Sequence, residues 1–464
     1  MKYRLRGDLM LKILTIRGIY LLCCLLSVPS VSYGDSISSL LTSSPAFNKT
    51  KIGSDAWIEA KLRQYPELLW LAEPSTISNN VLSGNFKTHY SLSLFERKIP
   101  TLDVAIRSLI YLHLFIQGSR QAYGQLCQLQ SPEDSLSFKQ FQTIHKQLML
   151  FLNSPKHFDN TLKILETAII LKYLGCSLKA VALFKPYFSE SHIDAFYFKA
   201  LHVLQAFPDL SPSFSRLSPE QKEVFLSLRC LADYHALFNL TTTPNSQLLS
   251  TGRAKRPLVI LDLYLHALDV CGEKTCSQEL YYNFVPLLSM LQQHATVEEA
   301  FSRYFTYRAN RLGFEGSSKN DMVLVRLATL MELSPTDAMS LASSFKHLSP
   351  EDIESLTNNF YTAQGEHIPL VIRGLPNLIS GLLQAGQGIS ASNPDNRLRQ
   401  VYTTVLSLLI KSLKVHKEML RKHLLDQATI LDFSQTSGSC GGLDIFSENV
   451  AVRVHLNGSV SIAL

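Results

Sequence analysis

The sequence predicts an all-α protein, and three observations carry that expectation. A serine–proline start signal for helices recurs along the chain. Between these signals the apolar residues return every three or four positions. A strand-like alternation is confined to the last residues before Leu464. Consecutive helices on short loops pack as antiparallel neighbours, so the expected architecture is a multi-helical bundle or α-solenoid of antiparallel helical hairpins, closed by a small C-terminal β-hairpin.

The chain opens on a leader. Lys2, Arg4, Arg6, Lys12 and Arg17 precede the apolar run Ile19 to Leu26, and Ser32-Tyr33-Gly34 offers small residues at the two positions a signal peptidase reads. The run is shorter than the roughly 20 residues that cross a bilayer. Residues 1–34 are therefore expected to be a secretory signal peptide removed before Asp35, with an uncleaved anchor or a buried helix as alternatives. Met10 opens a leader of more ordinary length and is the alternative start. Cys23 and Cys24 are preceded by Leu22 and Cys23 rather than by the small residue that lipidation requires. The expected destination is the periplasm, the cell envelope or the exterior.

Residues 35–240 form the first expected helical region. Trp57 and Trp70 mark its opening helix, and a Ser- and Asn-rich stretch over 72–100 separates that helix from the body. The most apolar later segment is Val104 to Ile116, yet it carries Arg107 and His113, which argues against a membrane span. Ser131-Pro-Glu-Asp134 and Ser218-Pro-Glu-Gln221 each place a serine at N-cap, a proline at the first helical position and an acceptor two residues further on. The serine oxygen accepts an orphan backbone N–H, the proline has no N–H to lose, and a carboxylate suits the helix dipole. Ser154-Pro155 is a looser version. Around 164–187 the segment "TAIILKYLGCSLKAVALFKPYF" resembles a tetratricopeptide-type helical hairpin, with Ala168, Leu171, Gly175, Ala180 and Phe184 at its small and apolar positions. Tyr187 stands where that repeat wants alanine, and a step of one repeat length puts His202 at a small position, so a single hairpin is expected rather than an array.

Residues 241–256 read as a linker, and 257–385 as a second helical region in which Leu258, Leu261, Leu265 and Leu268 keep helical spacing. Ser334-Pro-Thr-Asp337 and Ser349-Pro-Glu-Asp352 repeat the start signal there. Residues 386–431 are expected to hold a short linker and a long basic helix from Arg397 to about Leu425, opened by Asn393-Pro394. Residues 432–464 form the β-hairpin segment. Val450, Val452, Val454 and Leu456 alternate with polar positions, Asn457-Gly458 suits a type I′ turn, and Val460, Ile462 and Leu464 alternate again. Leu443 to Phe446 is the candidate third strand. The apolar face either packs on the helices or offers an edge for strand addition.

Charge and cysteine usage narrow the function classes. Residues 1–34 hold five basic residues and one acid, so the net charge of +6 falls to +2 without them. No basic character of the body calls for nucleic acid. Six cysteines follow the leader, too few in this length for a disulfide framework. Cys271 and Cys276, in "VCGEKTCSQE" between two helical segments, read first as a disulfide staple of the turn, with free thiols as the alternative. A metal reading would need two more ligands, and only the isolated His266 is near. No phosphate loop, zinc-protease helix, nucleophile elbow or calcium loop occurs in the sequence, and no catalytic residue, metal ligand or cofactor is assigned.

Lys411, Lys414, Lys417, Arg421 and Lys422 face a single acid, Glu418, and form the candidate partner-contact surface for an acidic protein or an anionic membrane. In its Cys-containing leader "LLCCLLSVPSVSYG" and its Leu-, Ser- and Phe-rich helices with few tryptophans, the whole chain resembles exported helical proteins of chlamydial bacteria. That resemblance implies export and a helical fold and carries no activity. The expected function is a non-enzymatic interaction scaffold, with a secreted hydrolase whose residues converge only in the fold as the alternative.

Overall fold

Local capping chemistry sets most of the helix starts. The structure, a computed structural model, describes residues 51–76, 88–132, 135–152, 155–190, 193–228, 238, 255–273, 276–316, 318–360, 372–385, 394–425, 430–436 and 450–463. These residues are mostly helical. Two compact units divide the chain, Met1–Arg229 with Pro257–Leu288 and Cys230–Arg256 with Ser289–Leu464. The leader expected at 1–34, nearly all of the linker expected at 241–256 and the strand expected over Leu443 to Phe446 lie outside the described residues.

The first unit runs through α1 (Asp55–Gln64), α2 (Glu67–Trp70), α3 (Tyr90–Phe95), α4 (Pro100–Gln117), α5 (Arg120–Leu129), α6 (Phe138–Leu152) and α7 (Pro155–Lys172). It continues with α8 (Leu178–Phe184), α9 (Ile193–Ala206), α10 (Pro212–Ser215) and α11 (Pro219–Ser227), and takes in α12 (Arg256–Glu273) and the larger part of α13 (Gln278–Gln293). Ser218 caps α11 in a full capping box with Gln221. The segment resembling a tetratricopeptide hairpin folds as the end of α7, a 3-10 turn over Leu174–Cys176, and α8.

One expected start is displaced. Ser131-Pro132 opens no helix, and α6 begins at Phe138, where Ser137 and Gln140 exchange backbone N–H bonds as a capping box. Ser137 and Gln140 satisfy two orphan donors at once, whereas Glu133 and Asp134 of the earlier motif lie outside the described residues.

α4 organises the first unit. It is buried on every side from Thr101 to Ile116, the mark of a core helix rather than a surface one. α3, α5, α6 and α7 pack on it. α12 reaches it most closely at Gly272, where a Cβ would lie 2.0 Å from Ser108 Oγ and 2.8 Å from the Val104 carbonyl oxygen, so only glycine fits.

The stretch expected as a second helical region, 257–385, is shared between the two units. Pro257–Leu288 belongs to the first unit, and the second unit begins its helices with α14 (Val297–Arg311), α15 (Lys319–Leu330), α16 (Pro335–Phe345) and α17 (Pro350–Phe360). The close approach of Gly272 to α4 lies within the first unit, a packing fact that composition at a linker does not encode. Ser334 and Ser349 both accept the N–H two residues beyond the helix start, Asp337 and Asp352.

β1 (Ile372–Arg373), α18 (Leu375–Ala385) and α19 (Pro394–Arg421) follow, and α19 is the axis of the second unit, with α16, α17 and α18 against it. Unlike α4 it buries one side only, through Val401, Val405, Leu408, Leu409 and Leu413 among others. β1 pairs in parallel with β2 (Leu431–Asp432). Gly374, at φ +74°, lets the chain turn into α18 where a Cβ would lie 2.3 Å from the Ser434 nitrogen.

β3 (Ala451–Val454) and β4 (Val460–Ala463) pair antiparallel with Val454 opposite Val460, and β3 lies on α19. The connection differs from the expected type I′ turn. Gly458 has φ +81°, whereas Asn457 is not in the positive-φ region that such a turn demands of both central residues. Leu456-Asn457-Gly458 instead form a three-residue loop, closed by Gly458 N–H to the His455 oxygen and His455 N–H to the Ser459 oxygen. Asn457 Oδ1 accepts from both the N–H and the hydroxyl of Ser459. The extra residue places Leu456 outside the strand and 71% exposed.

Candidate functional site

Four of the carboxylates buried in the first unit gather donors from other segments. Glu166 on α7 is the centre of the largest group. Lys61 Nζ of α1 and His113 Nε2 of α4 converge on its Oε1, the latter at 2.6 Å, and Tyr65 OH donates to Oε2 at 2.5 Å. The Trp57 ring stands edge-on to His113 at 5.3 Å, and the Lys61 ammonium lies 5.5 Å from the Trp57 centroid and 5.7 Å from that of Tyr65. An ammonium between two aromatic faces and a carboxylate is stabilised by both the ring quadrupoles and the opposite charge.

Protonation in this cluster follows from its surroundings. Burial pushes the Glu166 carboxyl upward, but the hydrogen bond and charge of His113 and the charge of Lys61 outweigh it and hold the group down to about 2. Burial lowers His113 against the opposing pull of Glu166. The arrangement is therefore an ionised Glu166 that accepts from Lys61 Nζ and from His113 Nε2. Burial, then the Glu166 charge, pushes the Tyr65 phenol well above its ordinary value, so it too donates. Lys61, Tyr65 and His113 each direct a hydrogen to this one carboxylate.

Asp103 on α4 accepts from the N–H and hydroxyl of Ser91 at 2.7 and 3.0 Å and contacts His89 Nδ1 at 3.0 Å. A serine, a histidine and an aspartate meet here, but in the wrong order for nucleophilic catalysis. The carboxylate stands between the other two, so the hydroxyl hydrogen goes to Asp103 and not to an imidazole. The Ser91 oxygen accepts from Ile99 N–H, and the whole serves to cap α3. Glu67 accepts the Ser213 N–H at 2.7 Å and the hydroxyls of Ser211 and Ser213, holding the start of α10 in the same way. Asp269 on α12 accepts from Lys172 and Tyr173.

The second unit uses guanidinium groups in place of carboxylates. Arg326, 1% exposed, donates to the Asn359 and Phe360 carbonyls at the end of α17 and stacks 4.9 Å from the Phe360 centroid. Arg308 donates to the Phe238 carbonyl at 2.6 Å and to Tyr304 OH. Cations at the carbonyl ends of helices satisfy both the orphan acceptors and the dipole.

The residues singled out from sequence fall into two groups. Cys271 and Cys276 come together as buried thiols at the turn between α12 and α13, on the wall of one apolar cavity of about 20 Å³. The five cations do not form one uniform stripe. Lys411 Nζ donates to the Val450 carbonyl at 2.8 Å and so ties α19 to the start of β3. Lys414 pairs with Asp352 at 3.0 Å, and Arg421 and Lys422 share Glu418 at 2.9 and 3.2 Å. Lys417 is exposed. On the same helix His416 is buried, and His423 lies beyond the helix end at φ +55°.

Sequence reasoning missed the carboxylate centres. Their partners stand 53, 101 and 105 residues from Glu166. A signal was present in Arg107 and His113, two polar side chains inside the most apolar stretch of the body, with Asp103 at its edge. Among the described residues no group of three metal-binding side chains is assembled, and no helix is long and apolar enough to cross a membrane. No known protein family, characterised protein or solved structure matches the chain.

Proposed function

We propose that the chain is an exported interaction module, a bundle or solenoid of antiparallel helical hairpins with a C-terminal β-hairpin, and that it binds an acidic protein through the end of α19 and the hairpin tip. One observation carries this reading: past Lys411, which the fold consumes, the last turns of α19 leave their cations in solvent, with Lys414, Arg421 and Lys422 side chains 63%, 76% and 58% exposed. Exposed ion pairs contribute about 0–1 kcal/mol. Their carboxylates are readily exchanged for those of a partner. Leu456, standing out of the hairpin loop, supplies an apolar anchor of the kind that sits inside a charged rim. Export rests on the basic, apolar and small-residue order of residues 1–34.

The test places a photocrosslinking amino acid at Lys417 or Leu456 in the full chain, with Leu150, exposed on α6, as the control position. The expected result is an adduct of one discrete mass from the first two positions, lost when Lys414, Lys417, Arg421 and Lys422 are all changed to Glu. Equal labelling at Leu150, or an adduct that survives the four changes, refutes the surface. N-terminal sequencing of the same material tests export, with Asp35 as the expected first residue.

A further inference from the structure

We propose that Cys271 and Cys276 are joined in the finished protein by a disulfide that locks the α12–α13 turn, formed during folding and shielded afterwards. The inference is independent of the partner surface. Both side chains line the same small apolar cavity, with Phe115, Leu148 and Phe284 among the other walls. They therefore converge on one space from the two ends of a short turn.

The backbone on each side is held in place from elsewhere in the unit. Arg107 Nε donates to the Gly272 carbonyl at 3.1 Å, directly beside the first cysteine. Gln130 Nε2 donates to the carbonyl of Cys276 itself at 2.6 Å, while its Oε1 accepts from Leu136 N–H. Gln278 reaches the Ser135 carbonyl at 3.3 Å. With the backbone held beside each cysteine and both side chains on one cavity, the two sulfurs have little freedom left to lose.

Burial decides when the bond is made. Cys271 and Cys276 are 1% and 2% exposed, whereas Cys127 is exposed. A thiol must ionise to attack a disulfide. Burial, then the hydrogen bond and charge of Cys276, pushes the Cys271 thiol well up, with Arg107 opposing, so the closed dithiol is inert. Exchange takes place while the two helices are still apart. One cysteine thiolate attacks the disulfide of an oxidant, an oxidised thiol–disulfide oxidoreductase or glutathione disulfide, and forms a mixed disulfide as the first oxidant thiolate leaves. The second cysteine thiolate then attacks the sulfur of the first, forming the internal bond and releasing the second oxidant thiolate. Two protons and two electrons pass from the chain to the oxidant, which ends as a pair of thiols.

Trypsin supplies the readout, because Lys274 lies between the two cysteines and Arg256 is followed by proline. Full-length protein is refolded with glutathione disulfide, blocked with an alkylating reagent, and digested without reductant. Peptides 256–274 and 275–303 are expected as one linked species, separated by reduction, and the tryptophan-reported melting temperature is expected to rise by about 5 °C over the reduced form. Protein already folded in its reduced form should react with the same oxidant at least about tenfold more slowly, because thiolate fraction and access both limit exchange. Recovery of both peptides alkylated, carrying glutathione, or linked to another cysteine overturns the proposal, and equal oxidation rates in folded and refolding protein overturn its timing.

Discussion

Buried carboxylates gather most of the polar contacts described in the first unit and buried guanidinium groups those in the second, and the difference shows two ways of stitching helices together. In the first unit carboxylates collect side-chain donors, so one residue such as Glu166 joins α1, α4 and α7 at a point. In the second unit Arg326 and Arg308 donate to main-chain carbonyls, so each cation finishes another segment's backbone. A carboxylate centre depends on several side chains being right at once. A guanidinium on a helix end depends on one. The first device also answers to pH and the second does not, because arginine stays charged throughout.

The largest effect is expected from Glu166→Gln. Removing the charge leaves Lys61 buried without its counterion, and breaking a buried pair in this way costs about 3–5 kcal/mol. Trp57 and Trp70, the two tryptophans of the chain, both lie in the first unit, so a denaturant titration followed by tryptophan fluorescence reads that unit alone. A loss under about 1 kcal/mol would mean that the cluster relaxes and that the first unit does not depend on it.

Arg326→Met comes next. It leaves the carbonyls of Asn359 and Phe360 without a charged donor, and bonds of that type contribute about 1.5–3 kcal/mol. Far-UV circular dichroism should show a helical transition moved to lower denaturant while the tryptophan transition stays in place. If both move together, the units unfold as one block and the comparison between them loses its thermodynamic meaning.

How much of this was legible in the sequence depends on how local the cause is. Ser218, Ser334 and Ser349 were readable as caps because each acts within its own first turn. Ser131 was not, because the start of α6 is capped by Ser137 with Gln140. Lys411 shows the limit for the candidate surface. Its place in a basic run is plain in the sequence, but its bond to the Val450 carbonyl depends on where a strand 39 residues later comes to lie. Arg107 and His113 were visible as anomalies in an apolar helix, while their partners at Gly272 and Glu166 were not.

The smallest effect per step, one pH unit, is graded rather than abrupt and separates the units by acid. His113 is lowered by burial, so the folded state refuses a proton that the unfolded chain takes up near 6.5. Its contribution is complete above that pH and declines as pH falls below it. Glu166, held down from 4.5 to about 2, contributes fully above 4.5 and loses its share as pH falls from there toward 2. Each proton corresponds to about 1.4 kcal/mol per pH unit across its window. The tryptophan-reported stability of the first unit should therefore decline from pH 6.5 downward more steeply than the helical signal of the second. Parallel slopes would show that the buried ionisable groups of the first unit do not govern its acid response.

The interrupted course of the first unit has a consequence for synthesis. Its core helix α4 emerges early, but the segment that seats Gly272 against Ser108 is encoded only after Pro257. At about 10 residues per second, the ribosome takes several seconds to travel from Arg229 to Leu288. Throughout that interval one side of α4 has no cover, and the nascent chain is an unfinished body with an apolar seam. The arrival of α12 is therefore what completes the cover of α4 at Ser108, long after α4 itself has been made.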